Sequence, residues 1–127
     1  MEQSVYILGK SITLMVIPVG DALSFLCFGG DKPHIGSCSI AQPYPSPRGG
    51  TRAAVSTLSV PRHQEWGLSA KMAESLCKRL GVALSVQCGI HYDSASKAQI
   101  AEVVEAVLGL CESLAGDILA ERNQEES

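Results

Sequence analysis

The chain has 127 residues, 46% of them hydrophobic and 18% charged, with a formal net charge of -3. That length describes one domain able to bury roughly two-thirds of its unfolded surface, placed here at residues 1–120 with a polar C-terminal tail at 121–127. The balance excludes a disordered chain, and the ten Lys and Arg residues form no basic stripe for nucleic acid.

The longest apolar stretch, Ile12 to Val19, contains Thr13 and Pro18 and falls far short of the ~20 residues a bilayer requires. Glu2 and the absence of a basic opening segment speak against a secretory signal, so a cytoplasmic protein without a membrane partner is expected. The cysteines are Cys27, Cys38, Cys77, Cys88 and Cys111, an odd set without a CxxC pair. Most sit in apolar patterns, where Cys behaves as a small hydrophobe, so reduced and mostly buried thiols are expected.

In chain order, Gln3 to Leu8 and Ser11 to Ile17 read as two strands joined by a tight turn at Gly9-Lys10. Val19 to Ala22 makes a second turn, Leu23 to Phe28 a third strand, and Gly29-Gly30 ends it. Ile35 to Ala41 alternates small and apolar residues as a fourth strand. Gln42 to Gly50 holds three prolines, two glycines and Arg48, which predicts a loop. Arg52 to Val60 resumes the sheet as a fifth strand.

The period then changes. From Glu65 or Gly67 to Leu80, the four-residue recurrence of Leu68, Met72, Leu76 and Leu80 opposes Lys71, Glu74, Lys78 and Arg79, which predicts an amphipathic helix. Gly81 supplies its C-cap, and Val82 to Cys88 a sixth strand. Ser96 and Gln99 form a capping box for a last helix whose apolar face runs from Ile100 to Ile118. That face is wide enough to pack on the sheet and on something else, such as a second subunit. Residues 121–127 are expected to fray. The predicted fold class is α+β: a mainly antiparallel sheet of about six strands with two helices on one face.

Three histidines fall where an apolar run yields to a turn or helix, the places where folds display sites. Gly29-Gly30-Asp31 can form a nest whose N–H groups turn toward a phosphate, with Lys32 and His34 adding charge and Gly36 allowing close approach. Alternatively it is a strand-ending turn in which Asp31 bonds its own backbone. His91 and Asp93 fall on one side if the sixth strand runs that far. They can hold a cation or a proton donor; alternatively, Asp93 serves only the start of the last helix. His63 and Glu65 precede the first helix, where an imidazole meets an anion favourably, although such a pair is more often a surface His with a first-turn acid. Tyr44, Trp66 and Tyr92 are rings on which an aromatic ligand can stack, or core filler.

A three-ligand metal site of His34, His91 and Asp93 with an open position is one enzymatic reading, with a divalent cation as cofactor. Nothing else suggests catalysis: no G-x-S-x-G elbow or Walker lysine occurs, and Cys27 and Cys38 lie within strands, where thiols are usually inert. An assembly module whose histidines are structural is a third reading.

Two segments, Gly29-Gly30-Asp31-Lys32-Pro33-His34-Ile35-Gly36 and Gly89-Ile90-His91-Tyr92-Asp93, resemble the signature segments of the small prenylated-flavin chaperone family, LpdD-like proteins. These accompany decarboxylases of gallate and related hydroxyarylic acids. The resemblance covers most of the chain and implies a proteasome-assembly-chaperone-like fold without catalysis. It further implies a homodimer that binds prenylated FMN, reduced or not, or FMN itself, and delivers it to a UbiD-type decarboxylase. Gly29, Gly30, Asp31, Pro33, His34 and Gly36 match the first segment, and Gly89, Ile90, His91 and Asp93 the second. Before the first helix, relatives carry Gly-His followed by acids, whereas this chain has Arg62-His63-Gln64-Glu65-Trp66. The resulting expectation is that Gly29, Gly30, Asp31, Lys32, His34, Gly36, Arg48, His63, His91 and Asp93 hold the flavin nucleotide, with the three imidazoles in one cavity.

Overall fold

The computed structural model describes residues 1–60 and 67–126. Strands β1 (Glu2–Ile7), β2 (Lys10–Val19), β3 (Ala22–Gly30), β4 (Ser37–Pro45) and β5 (Thr51–Ser59) precede helix α1 (Leu68–Leu80). Strand β6 (Leu84–His91) and helix α2 (Lys97–Glu126) follow. The expected α+β fold is present, with one six-stranded sheet in the order β1-β2-β3-β6-β4-β5. Only β3 and β6 run parallel; the other described pairs are antiparallel.

Alternation in the strands decides which face the helices cover. Ile12, Leu14 and Val16 of β2, Phe25 and Cys27 of β3, and Leu84, Val86, Cys88 and Ile90 of β6 are buried, and the residues between them, Gly89 apart, are not. Helix α1 brings Leu68, Met72, Leu76 and Leu80 onto that face, and α2 brings Val103, Val107, Leu114 and Ile118. Burying a side chain of this size contributes about 1.5–3 kcal/mol. Both helices lie on the same side: Gln3 Nε2 donates to Asp117 of α2 at 2.6 Å, and Ser39 of β4 meets Ser69 of α1 at 2.8 Å. No described helix is long and apolar enough to cross a membrane.

Polar groups in this interior find each other. Ser37 Oγ donates to Ser69 Oγ at 2.8 Å, and Ser39 Oγ also bonds Thr57 Oγ1 at 2.7 Å. These hydroxyls are buried at Ser37, Ser39 and Ser69, where an unpaired one would cost about 1–3 kcal/mol.

Both helix signals predicted from sequence form. Gly81 takes φ 66° and its N–H caps the Cys77 carbonyl at 2.8 Å. Ser96 and Gln99 exchange side-chain and backbone bonds at 2.9 and 3.1 Å. Four cysteines are buried and Cys38 half-buried, and none of the five is in a disulfide.

Several expectations are corrected. The first turn is Leu8-Gly9, both with positive φ, one residue earlier than expected. Strand β4 continues through Pro43 to Pro45, leaving a shorter hairpin loop than Gln42 to Gly50. Past Ala41, β4 has lost β6 and pairs only with β5, and there a missing proline donor is tolerated. Strand β6 runs on to His91 because Gly30 pairs with it in register. Helix α2 continues through the polar tail to Glu126, anchored where Arg122 Nη1 donates to the Leu80 carbonyl at 3.2 Å.

Candidate functional site

The parallel pairing of β3 with β6 brings the two signature segments together. Gly29 faces Ile90 and Gly30 faces His91, so both strands end at the same rim of the sheet. From Gly30 the chain must reach β4, which lies beyond β6. Residues 31–36 therefore cross over the end of β6.

Glycine makes that crossing possible. A Cβ on Gly89 would overlap the His34 carbonyl, and one on Gly30 would overlap the His91 carbonyl. Gly30 also has φ 79°, a left-handed conformation that L side chains rarely adopt. Backbone bonds then hold the crossover: Asp31 N–H to the His91 carbonyl at 2.7 Å, Gly36 N–H to Cys88 at 2.9 Å, and Val60 N–H to Gly36 at 2.8 Å.

Side chains tie the same two segments. Asp31 Oδ2 accepts the Asp93 N–H at 2.9 Å, His91 Nε2 donates to Asp93 Oδ1 at 2.9 Å, and Lys32 Nζ lies 3.8 Å from that oxygen. The Lys32–Asp93 pair is well exposed, at 72% and 59%, so it contributes little to stability. Because a carbonyl only accepts, the 2.9 Å bond from His34 Nδ1 to the Lys32 carbonyl fixes the proton on Nδ1. Likewise, the Asp93 carboxylate fixes the His91 proton on Nε2, leaving Nδ1 as the acceptor nitrogen of the neutral ring.

Beneath this rim Tyr92 is buried, and its hydroxyl donates to the Ile7 carbonyl at 2.8 Å, tying the β1–β2 hairpin to the site. Burial first, and the negative charge of Asp31 second, push the Tyr92 phenol above its usual range. Tyr92 is thus a structural strut rather than an exposed stacking ring.

The rim gathers Gly29, Gly30, Asp31, Lys32, His34, Gly36, His91 and Asp93 onto adjoining segments. Two parts of the sequence expectation are altered. The N–H groups of Asp31 and Gly36 serve the crossover itself, and Asp31 bonds Asp93 rather than its own backbone. The three-ligand set of His34, His91 and Asp93 does not form: among the described residues no three His, Cys, Asp or Glu side chains could hold a metal. The His91 Nε2 proton and the Lys32 ammonium both face Asp93, and His34 is turned onto the Lys32 carbonyl.

Arg48 lies elsewhere. It sits in the turn after Pro45, beyond the β6 residue Leu84 that pairs with Ala41, whereas the rim lies by Cys88, which pairs with Ser37. Eight strand positions at ~3.3 Å each put about 26 Å between Ser37 and Pro45, so one chain does not bring Arg48 to His91. Tyr44 belongs to the same distant hairpin. His63, Glu65 and Trp66 lie outside the described residues, and with them one of the three imidazoles of the expected shared cavity. A cleft of about 580 Å³ lined by Val16, Leu23, Val82 and Ile118 is separate from the rim residues.

The sequence pattern of the prenylated flavin chaperone LpdD-like domain matches residues 8–119, from the first hairpin into the last helix, with both rim segments inside it. The chain belongs to the prenylated flavin chaperone LpdD-like family. No curated protein matches the chain.

Within this LpdD-like domain, sequence reasoning missed two features. Gly89 was matched as part of a motif, but its reason, the His34 carbonyl lying where a Cβ would go, depends on the crossover. The Ser37–Ser69–Ser39 hydroxyl cluster was also missed. Its one signal was the Ser-Cys-Ser alternation at the start of the fourth strand.

Proposed function

We propose that this LpdD-like domain is a cytoplasmic, non-catalytic chaperone that binds prenylated FMN, in its reduced form or otherwise, and passes it to a UbiD-type decarboxylase. The chaperone acts as a homodimer. One observation carries the reading: two segments some sixty residues apart, inside a sequence that matches a flavin-chaperone domain, meet at one rim.

In this reading Lys32 supplies the fixed positive charge for the flavin phosphate. His34 and His91 offer ring nitrogens and edges to phosphate or isoalloxazine. Asp31 and Asp93 position them, Asp93 by holding His91 and Asp31 by holding Asp93. A carrier of this kind needs slow release and no bond making.

The test is anaerobic gel filtration of the purified protein mixed with reduced prenylated FMN, followed by a flavin spectrum of the protein peak. Co-elution is expected, with at least about tenfold weaker retention for His91→Ala and Lys32→Ala. Wild-type protein that elutes free of flavin, under conditions where a UbiD-type decarboxylase acquires it, overturns the reading.

A further inference from the structure

The helices cover one face of the sheet, and the alternation that buries Leu14, Phe25 and Val86 sends their neighbours to the other. On that open face Met15, Leu26, Gln87, Cys38 and Leu58 stand in one register row across β2, β3, β6, β4 and β5. Ile17 and Ile40 stand in the next row, paired through Ser24 and Ser85. Among the described residues no helix packs here, and the crossover at 31–36 lies over only the Gly89 end.

The exposure is large. Leu58 is 80% exposed, Tyr6 74%, Ile40 60%, Ile17 47% and Tyr44 44%. Taking roughly 200 Å² for a fully exposed side chain of this size, these five, spread from Tyr6 at the rim end to Tyr44 on the far hairpin, together present on the order of 600 Å². The half-buried Met15, Leu26, Phe28 and Cys38 extend the patch toward the ~800 Å² per partner that a stable interface uses. A monomer seldom leaves such a patch in water.

Four hydroxyls of this face are already paired with one another. Ser4 bonds Thr13 at 2.9 Å and Ser24 bonds Ser85 at 3.1 Å, so removing water would not orphan those hydroxyls. Only two charged strand residues point to this side, Glu2 on β1 and Arg52 on β5, and these are the two opposite edge strands. A charged partner would find no matching field at the centre. A second copy brings the same uncharged centre, so stacking the two faces buries no charge there.

We propose that the open sheet face is where two copies of this chain meet. They stack sheet on sheet at ~10 Å, giving layers in the order helix, sheet, sheet, helix. The inference takes the homodimer from the reading above and stands whether or not the ligand is a flavin.

The test is sedimentation velocity of the full chain over a wide concentration range. Wild type is expected at twice the 13.4 kDa chain mass. Ile40→Lys and Leu58→Lys should each weaken association by about tenfold or more with an unchanged far-ultraviolet circular dichroism spectrum, since both side chains are exposed. Leu108→Lys, in the cleft of about 520 Å³ between α1 and α2, should leave the dimer intact. A wild type that stays monomeric at every concentration overturns the proposal. So does a dimer broken by Leu108→Lys and not by Ile40→Lys. Flavin retention measured on the same samples separates the two readings: a dimer without flavin sinks only the carrier, and a monomer that retains it sinks the homodimer and this interface but leaves the carrier.

Discussion

The interior beneath the sheet and the rim at the ends of β3 and β6 are built to opposite rules. The interior is apolar and tolerates polarity only as closed pairs, as in the Ser37, Ser39 and Ser69 cluster. The rim has little apolar burial of its own, and glycines, backbone bonds and an Asp31–Asp93–His91 chain set its shape. Bulk hydrophobicity thus stabilises one region, and exact residue identity shapes the other. The difference separates positions that matter to folding from those that matter to the ligand.

That contrast is sharpest at Phe25, fully buried between sheet and helices. Phe25→Ala should cost about 3–5 kcal/mol by chemical denaturation. A loss under about 1 kcal/mol would mean the interior is not the stabilising region.

Alkaline titration probes the same interior. Burial, then Cys88 and Glu112, push the Cys111 thiol from 9.0 up to about 12. The folded state therefore holds a proton that the unfolded state releases. Stability should be full below about pH 9 and fall as pH rises toward about 12, by up to about 1.4 kcal/mol per pH unit. Cys111→Ala should flatten that slope in denaturation curves taken at successive pH values.

At the rim, Gly89→Ala forces its new methyl into the His34 carbonyl and should cost about 1–3 kcal/mol. The distinguishing readout is amide exchange: residues 31–36 should lose protection before the core of β3 does. Uniform loss along the chain would show that the crossover is no separate unit.

The smallest effect is expected at Lys32. Lys32→Ala removes an exposed pair and should move stability by no more than about 0.5 kcal/mol, while flavin retention falls. A change of several kcal/mol would erase the distinction between rim and interior.

Much of the fold was legible locally. Alternation marked Ile12, Leu14 and Val16 as one face, the four-residue recurrence marked α1, and Gly81 and Ser96–Gln99 marked helix ends. Pro43 and Pro45 misled because proline argues against a strand, and their tolerance depends on β4 having outrun β6. The polar tail misled because nothing local reveals that Arg122 reaches the Leu80 carbonyl. For the site, Gly-Gly-Asp and Gly-Ile-His could each be read as a candidate. Arg48 was grouped with them only because a basic residue beside a loop suits a phosphate.

Sequence by itself determined the elements and the inward face of each strand, because side-chain direction follows a period of two or 3.6 residues within a single element. It also determined the family, through two short segments. Only the tertiary structure decided that β6 lies between β3 and β4, and with that the meeting of Asp31 with Asp93, the crossing over Gly89 and the remoteness of Arg48. Strand order depends on pairing between residues sixty positions apart, and no local periodicity encodes which strand becomes the neighbour of which.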